Sequence, residues 1–147
     1  MHLYFAFGSN MAEETLRERG VAATRIGAAY LPDHRLAFTL PSQRWTGRAA
    51  DLRPHAGAIT WGVIWSLDDA NALDPYEQRY DRISISVMRP DAGTDGAVDA
   101  FTYTVKPENR AVPEDLPSSD YLDRMLKGAR AAGIPRHWIR HLESYRT

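Results

Sequence analysis

Apolar and polar residues change their spacing several times along the chain, and each change predicts an element. Residues 3–7 (LYFAF) are apolar and aromatic, which predicts a short strand. The turn sequence GSN follows, and Asn10 with Glu13 three positions later resembles a capping box at the start of a short helix. Gly20 is a typical stop for that helix. The chain therefore opens with a predicted strand, a tight turn and a helix.

The middle of the chain carries the two-residue alternation that is typical of strands. Residues 24–40 are predicted to be extended with a break at 31–33, whereas residues 41–54 are polar and predicted to be irregular. Residues 58–67 (AITWGVIWSL) are almost all apolar, which is typical of a strand covered on both faces, so we place it at the centre of the sheet. Two further strands are predicted at 83–87 and 98–105, joined by a hairpin-type loop at 91–96.

Helical signals are concentrated after residue 67 and at the carboxyl end. Asp74 followed by Pro75 predicts a short helical turn that begins there. After a proline-rich loop at 107–117, Ser118 or Ser119 is predicted to cap a helix that ends at Gly133, and Pro135 begins the last helix. Strands grouped in the middle and helices at the end favour an α+β fold. We predict one domain over residues 1–147, with a mainly antiparallel sheet curled toward a barrel and helices packed around it.

Composition narrows the classes of function. The 147 residues are 44% hydrophobic, which suits one compact core, and the formal net charge of −1 gives no electrostatic footprint for nucleic acid or an anionic membrane surface. The absence of cysteine excludes disulfides, thiolate zinc sites and cysteine nucleophiles. The first residues do not resemble a signal peptide, and no stretch approaches the roughly 20 apolar residues of a membrane span. A soluble, cytoplasmic protein is therefore expected.

The turn after the first strand is one candidate site. A turn that enters a helix leaves several backbone N–H groups unpaired, and together with the helix dipole they can bind an anion or an oxyanion. Gly8 would let a ligand approach the backbone closely. The alternative is an ordinary strand–turn–helix junction with a good cap, and the residues alone favour that alternative.

Glu77 is the second candidate. It lies in the sequence LDPYEQ, in the predicted first turn of the short helix, beside Tyr76 and Tyr80 and between two apolar strands. A carboxyl group that is partly desolvated by such neighbours has a raised pKa and can act as a general acid and base near neutral pH. The alternative is a solvated glutamate favourably placed at a helix N-terminus. The residues alone leave both interpretations open and favour the second.

Other combinations of residues give weaker evidence for a functional site. His137 and His141 share a helix face, but the glutamate of an HExxH site is missing, so surface histidines and no metal site are expected. Ser9 is not in a GxSxG elbow. Three arginines of the 41–54 segment could bind a carboxylate, although a solvated loop face is the commoner use of such residues: these are Arg44, Arg48 and Arg53.

Four motifs in order resemble one family. YFAFGSNM is similar to the YFAYGSNL-type signature of the γ-glutamylcyclotransferase-like proteins. The resemblance continues through GAAYLPDHRLAFT, WTGRAADLRPHAGAITWGVIWSL and LDPYEQ, and ends with AFTYTV and SSDYLDRMLKGARAAGIPRHWI, which match the long, AIG2-like form of the family. It covers nearly the whole chain. Two departures from the signatures are Phe7 in place of tyrosine and Gln78 in place of glycine after the glutamate.

The resemblance implies a barrel-like mixed sheet and a cofactor-free enzyme. The family glutamate, a catalytic acid/base, maps onto Glu77, and the turn whose N–H groups bind the γ-glutamyl group maps onto Phe7, Gly8, Ser9 and Asn10. Pocket tyrosines map onto Tyr103 and Tyr121. The implied reaction is a cyclisation in which the α-amine of a γ-glutamyl amide attacks its own γ-carbonyl and releases 5-oxoproline.

Two alternatives to this activity stay open on the same fold. One is a non-catalytic domain that binds a small carboxylate, and the other is an amide hydrolase that uses water in place of the substrate amine. The implied partner is a small γ-glutamyl molecule, with neither nucleic acid nor membrane. The aromatic content suits a homodimer interface and the core equally well, so the oligomeric state stays open.

Overall fold

A computed structural model describes residues 2–42, 44–90 and 96–146 of the chain. The helices and strands are β1 (His2–Ala6), α1 (Glu13–Glu18), β2 (Ala23–Pro41), β3 (Arg48–Leu67), β4 (Tyr80–Met88), β5 (Ala97–Val105), α2 (Ser119–Ala131) and α3 (Arg136–Glu143). Short 3₁₀ turns lie at Ser9–Met11, Asp74–Tyr76 and Pro107–Asn109. The predicted hairpin loop at 91–96 lies, apart from Gly96, outside the described residues.

Within the described residues the strands close into a barrel in the order β1-β3-β2-β4-β5. The pairings are antiparallel except that of β1 with β5, which is parallel and joins Tyr4 to Phe101. Residues 60–65 of β3, which pairs with both β1 and β2, are buried without interruption. Strands covered on both faces read as continuous apolar runs, so the predicted central strand and the α+β barrel-like fold are confirmed.

The β2–β3 hairpin is longer than the sequence predicts. The predicted break at 31–33 is a bulge and not an end of the strand: β2 is continuous, but its pairing shifts register between Pro32 and His34, and Asp33 has a φ of 60°. The predicted irregular segment is wrong after residue 47, since β3 begins at Arg48 and pairs back onto the end of β2. Ala50 and Leu52 are buried in the core, and this burial outweighs the polar composition around them.

The predicted capping box is not formed. Asn10 lies inside the 3₁₀ turn, and Ala12 precedes α1 without a side-chain cap. The carboxyl-terminal helices agree with prediction, because the Ser118 side chain accepts a hydrogen bond from the backbone N–H of Tyr121 and Pro135 precedes α3. Among the described residues, no helix is both long enough and apolar enough to cross a membrane.

Candidate active site

The turn after β1 is held tightly in the core. The N–H groups of Met11 and Ala12 donate to the carbonyl oxygens of Gly8 and Ser9, each over 3.1 Å, which forms the 3₁₀ turn. Ser9 and Asn10 are buried, and the indole N–H of Trp65 on β3 donates to the Asn10 carbonyl over 3.0 Å. The first N–H groups of a helical turn have no acceptor within it. The role of these N–H groups as a cradle of donors for a ligand stays a prediction.

Glu77 closes the 3₁₀ turn that follows β3. The prediction that it lies in the first turn of a helix is wrong, because Asp74–Tyr76 form one 3₁₀ turn and Glu77 is its C-terminal residue. Its backbone N–H donates to the Asp74 carbonyl over 3.1 Å, and the fully buried Leu73 anchors the segment. The Glu77 side chain is only 9% exposed. The alternative of a solvated glutamate is therefore wrong.

Both candidates line one cavity of about 190 Å³. Every predicted site residue contributes to its wall: Phe7, Gly8, Ser9, Asn10, Glu77, Tyr103 and Tyr121. Residues from β1, the hairpin β2–β3, the Asp74–Tyr76 turn, β5 and α2 meet there, so the barrel and α2 together shape the wall. Concave sites with a few convergent polar groups are the usual form of a small-molecule site.

Two donors hold one oxygen of the Glu77 carboxyl group. The Asn10 amide nitrogen Nδ2 lies 3.3 Å from Glu77 Oε1, and Arg19 Nη1 lies 3.5 Å from the same oxygen. Arg19 Nη1 also donates to Asn10 Oδ1 over 3.1 Å, and Asn10 Nδ2 donates to the Tyr4 hydroxyl over 3.0 Å. Asn10 therefore contributes its side chain, and not only its backbone, to the site.

Burial dominates the electrostatics of Glu77. Desolvation raises the pKa of Glu77 from 4.5 to about 7, against the lowering effects of the Arg19 charge and of the hydrogen bonds from Asn10 and Arg19. Asp74 adds a smaller repulsion that raises the pKa further. A carboxyl group with this pKa exchanges a proton readily near neutral pH, which is the property required of a general acid/base.

The two predicted tyrosines differ in their contacts. The Tyr103 hydroxyl donates to Asp74 Oδ1 over 2.9 Å, so it is linked to the turn that carries Glu77. The Tyr121 hydroxyl accepts the Ala50 backbone N–H over 3.0 Å. Burial raises the pKa of Tyr121, and hydrogen bonds with Ala50 and Ser9 oppose that rise. Both hydroxyl groups are thus already engaged with the protein.

Phe7 is buried and its ring centroid lies 6.3 Å from that of Phe5. It is an apolar part of the cavity wall.

Sequence analysis missed the wall residues Arg19 and Tyr4, and it named Tyr80 only as a neighbour of Glu77. Tyr4 has a sequence signal, because it lies in the same YFAFGSNM segment as the predicted glycine turn. Arg19 offers no such signal, since it follows an exposed helix turn and only the tertiary fold turns its side chain inward.

The remaining sequence candidates lie apart from Glu77 or are paired. Arg44 reaches the cavity wall, but its Nη2 is 2.6 Å from Glu18 Oε2. Arg48 and Arg53 do not line the cavity. His137 and His141 are exposed on α3. The described residues hold no group of three potential metal ligands.

Comparisons with known proteins agree with this architecture. Residues 60–142 match the model of the AIG2-like family. The γ-glutamylcyclotransferase of Bos taurus is 30% identical over 152 residues, spanning 97% of this chain and 77% of the relative. That of Homo sapiens is 27% identical, with the same coverage. A solved structure named γ-glutamyl cyclotransferase superposes with a TM-score of 0.84 at 26% identity, covering 97% of this chain and 86% of the other.

The closed five-stranded barrel with helices packed around it places the chain in the class of α+β proteins with a γ-glutamylcyclotransferase-type fold. Within that class, the chain belongs to the AIG2-like family.

Proposed function

We propose that this protein is a γ-glutamylcyclotransferase that releases 5-oxoproline and a free amine from a γ-glutamyl amide. One observation carries the proposal: the buried Glu77, whose pKa is raised to about 7 by burial, shares a cavity with the Gly8–Asn10 turn. Relatives named γ-glutamylcyclotransferase, similar over 97% of the chain, support it.

Glu77 is the proposed acid/base of the reaction. Its carboxylate removes a proton from the substrate α-ammonium group, and the freed amine attacks the γ-carbonyl carbon to form the new C–N bond of the ring. The tetrahedral oxyanion then collapses and the original C–N bond breaks. The proton held by Glu77 passes to the leaving nitrogen, which regenerates the carboxylate. The new ring nitrogen then gives its second proton to the released amine, so the products are 5-oxoproline with a neutral ring amide and an alkylammonium ion. General acid/base steps of this kind contribute roughly 10²–10⁴-fold.

The protein supplies no nucleophile because the substrate carries its own. Well-oriented intramolecular reactions reach effective molarities of about 10⁵ M or more, so holding the γ-glutamyl chain in a folded conformation supplies much of the acceleration. The N–H groups at the start of the Ser9–Met11 turn bind either the substrate α-carboxylate or the developing oxyanion in this proposal. Phe7, Tyr103 and Tyr121 complete the proposed wall around the γ-glutamyl group.

The test is product formation by wild type and Glu77→Gln. A panel of γ-glutamyl amino acids, γ-glutamyl alkylamides and glutathione is incubated with each protein, and 5-oxoproline and glutamate are quantified. We expect 5-oxoproline from the wild type and a loss of roughly 10²–10⁴-fold in Glu77→Gln. The control is Glu13→Gln on α1, whose side chain is 58% exposed and lies outside the cavity.

Each alternative gives a different result in the same assay. Free glutamate in place of 5-oxoproline identifies an amide hydrolase, and saturable binding without product identifies a binding domain. Equal activity of wild type and Glu77→Gln contradicts the proposed role of Glu77. The cytoplasmic location stays a prediction from the sequence, and a homodimer stays one possible oligomeric state.

A further inference from the structure

Arg19 enters the cavity from the end of α1. Arg19 follows the last residue of the helix, and its backbone N–H donates to the carbonyl oxygens of Thr15 and Leu16, each over 3.2 Å. Its side chain is only 16% exposed. A single nitrogen, Nη1, lies 3.1 Å from Asn10 Oδ1 and 3.5 Å from Glu77 Oε1. The guanidinium group therefore joins the turn after β1 to the turn after β3.

Arg19 and Asn10 both approach the same carboxyl oxygen. Glu77 Oε1 receives both donors, whereas no hydrogen bond to Oε2 is formed within the described part of the chain. Oε2 is also not among the fully enclosed side-chain atoms that lack a partner there. Because Oε2 belongs to a cavity-lining residue and is not enclosed, it is the oxygen left accessible to a substrate proton.

Tyr76 holds Arg19 through two contacts. The Tyr76 hydroxyl donates to the Arg19 carbonyl over 3.1 Å, and the Arg19 guanidinium lies 5.1 Å from the Tyr76 ring centroid, within cation–π range. Tyr76 immediately precedes Glu77, so the turn that carries the carboxyl group also carries the residue that fixes its partner. This leaves Arg19 little freedom to leave Glu77 and contact a ligand.

Burial and Asp74 oppose ionisation of Glu77, whereas Arg19 and Asn10 favour it. Asp74 repels the carboxylate from the same segment, while Asn10 donates to it. The Glu77 charge contributes to the raised pKa of four tyrosine hydroxyl groups on β1, β4, β5 and α2: Tyr4, Tyr80, Tyr103 and Tyr121. Arg19 supplies the opposite charge that acts on Glu77 directly.

We propose that Arg19 is a positioning residue. It holds Oε1 of Glu77, so that Oε2 faces the substrate, and it favours the carboxylate form of Glu77 before ring closure. The role rests on the proposed function, because it is defined by the proton transfer that Glu77 performs. Arg19 acts through Glu77 and does not itself contact the substrate. Burial alone would leave Glu77 protonated over more of the neutral range, since desolvation disfavours the charged form.

The kinetic test compares Arg19→Gln, Arg19→Lys and the control Arg17→Gln over a range of pH. An opposite charge at this distance changes a carboxyl pKa by about 1–3 units, so the ascending limb of kcat/KM in Arg19→Gln should move up by about 1–3 pH units. Activity near pH 7 should fall about tenfold or more and recover at higher pH, with KM little changed. Arg19→Lys should retain the wild-type limb. Arg17, whose side chain is 71% exposed on the same helix, should have no effect.

A second readout does not need activity. The Glu77 carboxyl carbon is followed by ¹³C NMR in protein labelled at glutamate, and its signal is identified by its absence from Glu77→Gln. The wild-type signal should titrate with a pKa of about 7, and the Arg19→Gln signal should titrate higher. If the wild type makes no 5-oxoproline, the proposed function fails, while this titration still decides whether Arg19 controls the protonation of Glu77.

Two results would overturn the proposal. The first is an unchanged limb and titration in Arg19→Gln with a raised KM, which would make Arg19 a ligand for the substrate carboxylate. The second is the same loss of activity at every pH, which would make its role merely structural. If Arg19→Gln does not fold, Arg19→Lys and Tyr76→Leu serve instead. Tyr76→Leu should move the limb upward in the same direction, and an unchanged limb in that variant contradicts the proposal.

Discussion

The Asn10 amide donates a hydrogen bond to Glu77 Oε1 over 3.3 Å, although the two residues are 67 positions apart in the sequence. The bond joins the turn after β1 to the turn after β3. The Asn10 carbonyl is fixed by Trp65 on β3, so the amide has little freedom to move away. One asparagine thus belongs both to the turn after β1 and to the surroundings of the Glu77 carboxyl group.

Compared with the wild type, Glu77→Gln should have a higher free energy of unfolding at high pH than at low pH. The folded-state pKa of Glu77 is raised from 4.5 to about 7, so the folded protein binds this proton more tightly than the unfolded chain does. The stability from protonated Glu77 is complete below about pH 4.5 and is lost as the pH rises through 7. The difference in unfolding free energy, Glu77→Gln minus wild type, should therefore rise by up to about 3 kcal/mol between roughly pH 4 and pH 8.

Urea unfolding at both pH values measures this difference. The exposed Glu13→Gln on α1 is the control and should show no comparable change with pH. A Glu77→Gln difference that is the same at both pH values would falsify the assignment of a desolvated Glu77.

Much of the fold could be predicted from local chemistry. The apolar run of β3 predicted a covered strand, and Ser118 and Pro135 predicted the starts of the last helices, because each signal acts within a few residues. The full length of the β2–β3 hairpin could not be predicted in this way. Its stability comes from cross-strand pairs such as Leu36 with Leu52, which have no local signature.

The candidate site was likewise predictable only in part from local sequence signals. Glu77 and the glycine turn were found through motifs, but their burial and proximity arise from barrel closure. The Asn10–Glu13 spacing suggested a capping box, yet the Asn10 side chain bonds to Tyr4 and Glu77 instead. Sequence spacing cannot show which of two acceptors a polar side chain reaches when one of them is distant in the chain.

Gly8→Ala should destabilise the protein through a collision with Tyr121. A Cβ at Gly8 would lie 2.6 Å from the Tyr121 hydroxyl oxygen and 3.1 Å from the Ala50 Cβ. Overpacking of this kind costs about 1–3 kcal/mol. The loss should be smaller when Tyr121→Phe is the background, because the next Tyr121 atom, Cζ, lies 3.7 Å away. A double-mutant cycle by urea unfolding measures the coupling, and strict additivity of the two changes contradicts this explanation.

Arg79 should raise kcat/KM for substrates whose leaving amine carries a carboxylate. It lines the cavity, and its guanidinium group forms no hydrogen bond or ion pair within the described residues, whereas Arg44 is paired with Glu18. A charge-assisted hydrogen bond contributes about 1.5–3 kcal/mol, so Arg79→Ala should lower kcat/KM for γ-glutamylalanine about 10- to 100-fold.

The matched substrate for this prediction is γ-glutamylethylamide, which lacks only the carboxylate, and its kcat/KM should change little in Arg79→Ala. Arg79→Lys should retain part of the preference because it keeps the charge. An equal loss for both substrates would instead place Arg79 against the γ-glutamyl group that they share.

Gly128→Ala should lower both stability and activity, although alanine is the better helix former by about 1 kcal/mol. Gly128 lies inside α2, and a Cβ there would overlap the backbone of Met11 and Ala12, at the end of the turn that carries Ser9 and Asn10. Backbone cannot rotate aside as a side chain can, so α2 or the turn must move, at a cost of about 1–3 kcal/mol or more. Urea unfolding and 5-oxoproline release measure the two effects, with Ser119→Ala, exposed in the first turn of α2, as the control for helix propensity. If Gly128→Ala is as stable and active as Ser119→Ala, close packing of α2 does not hold the turn in place.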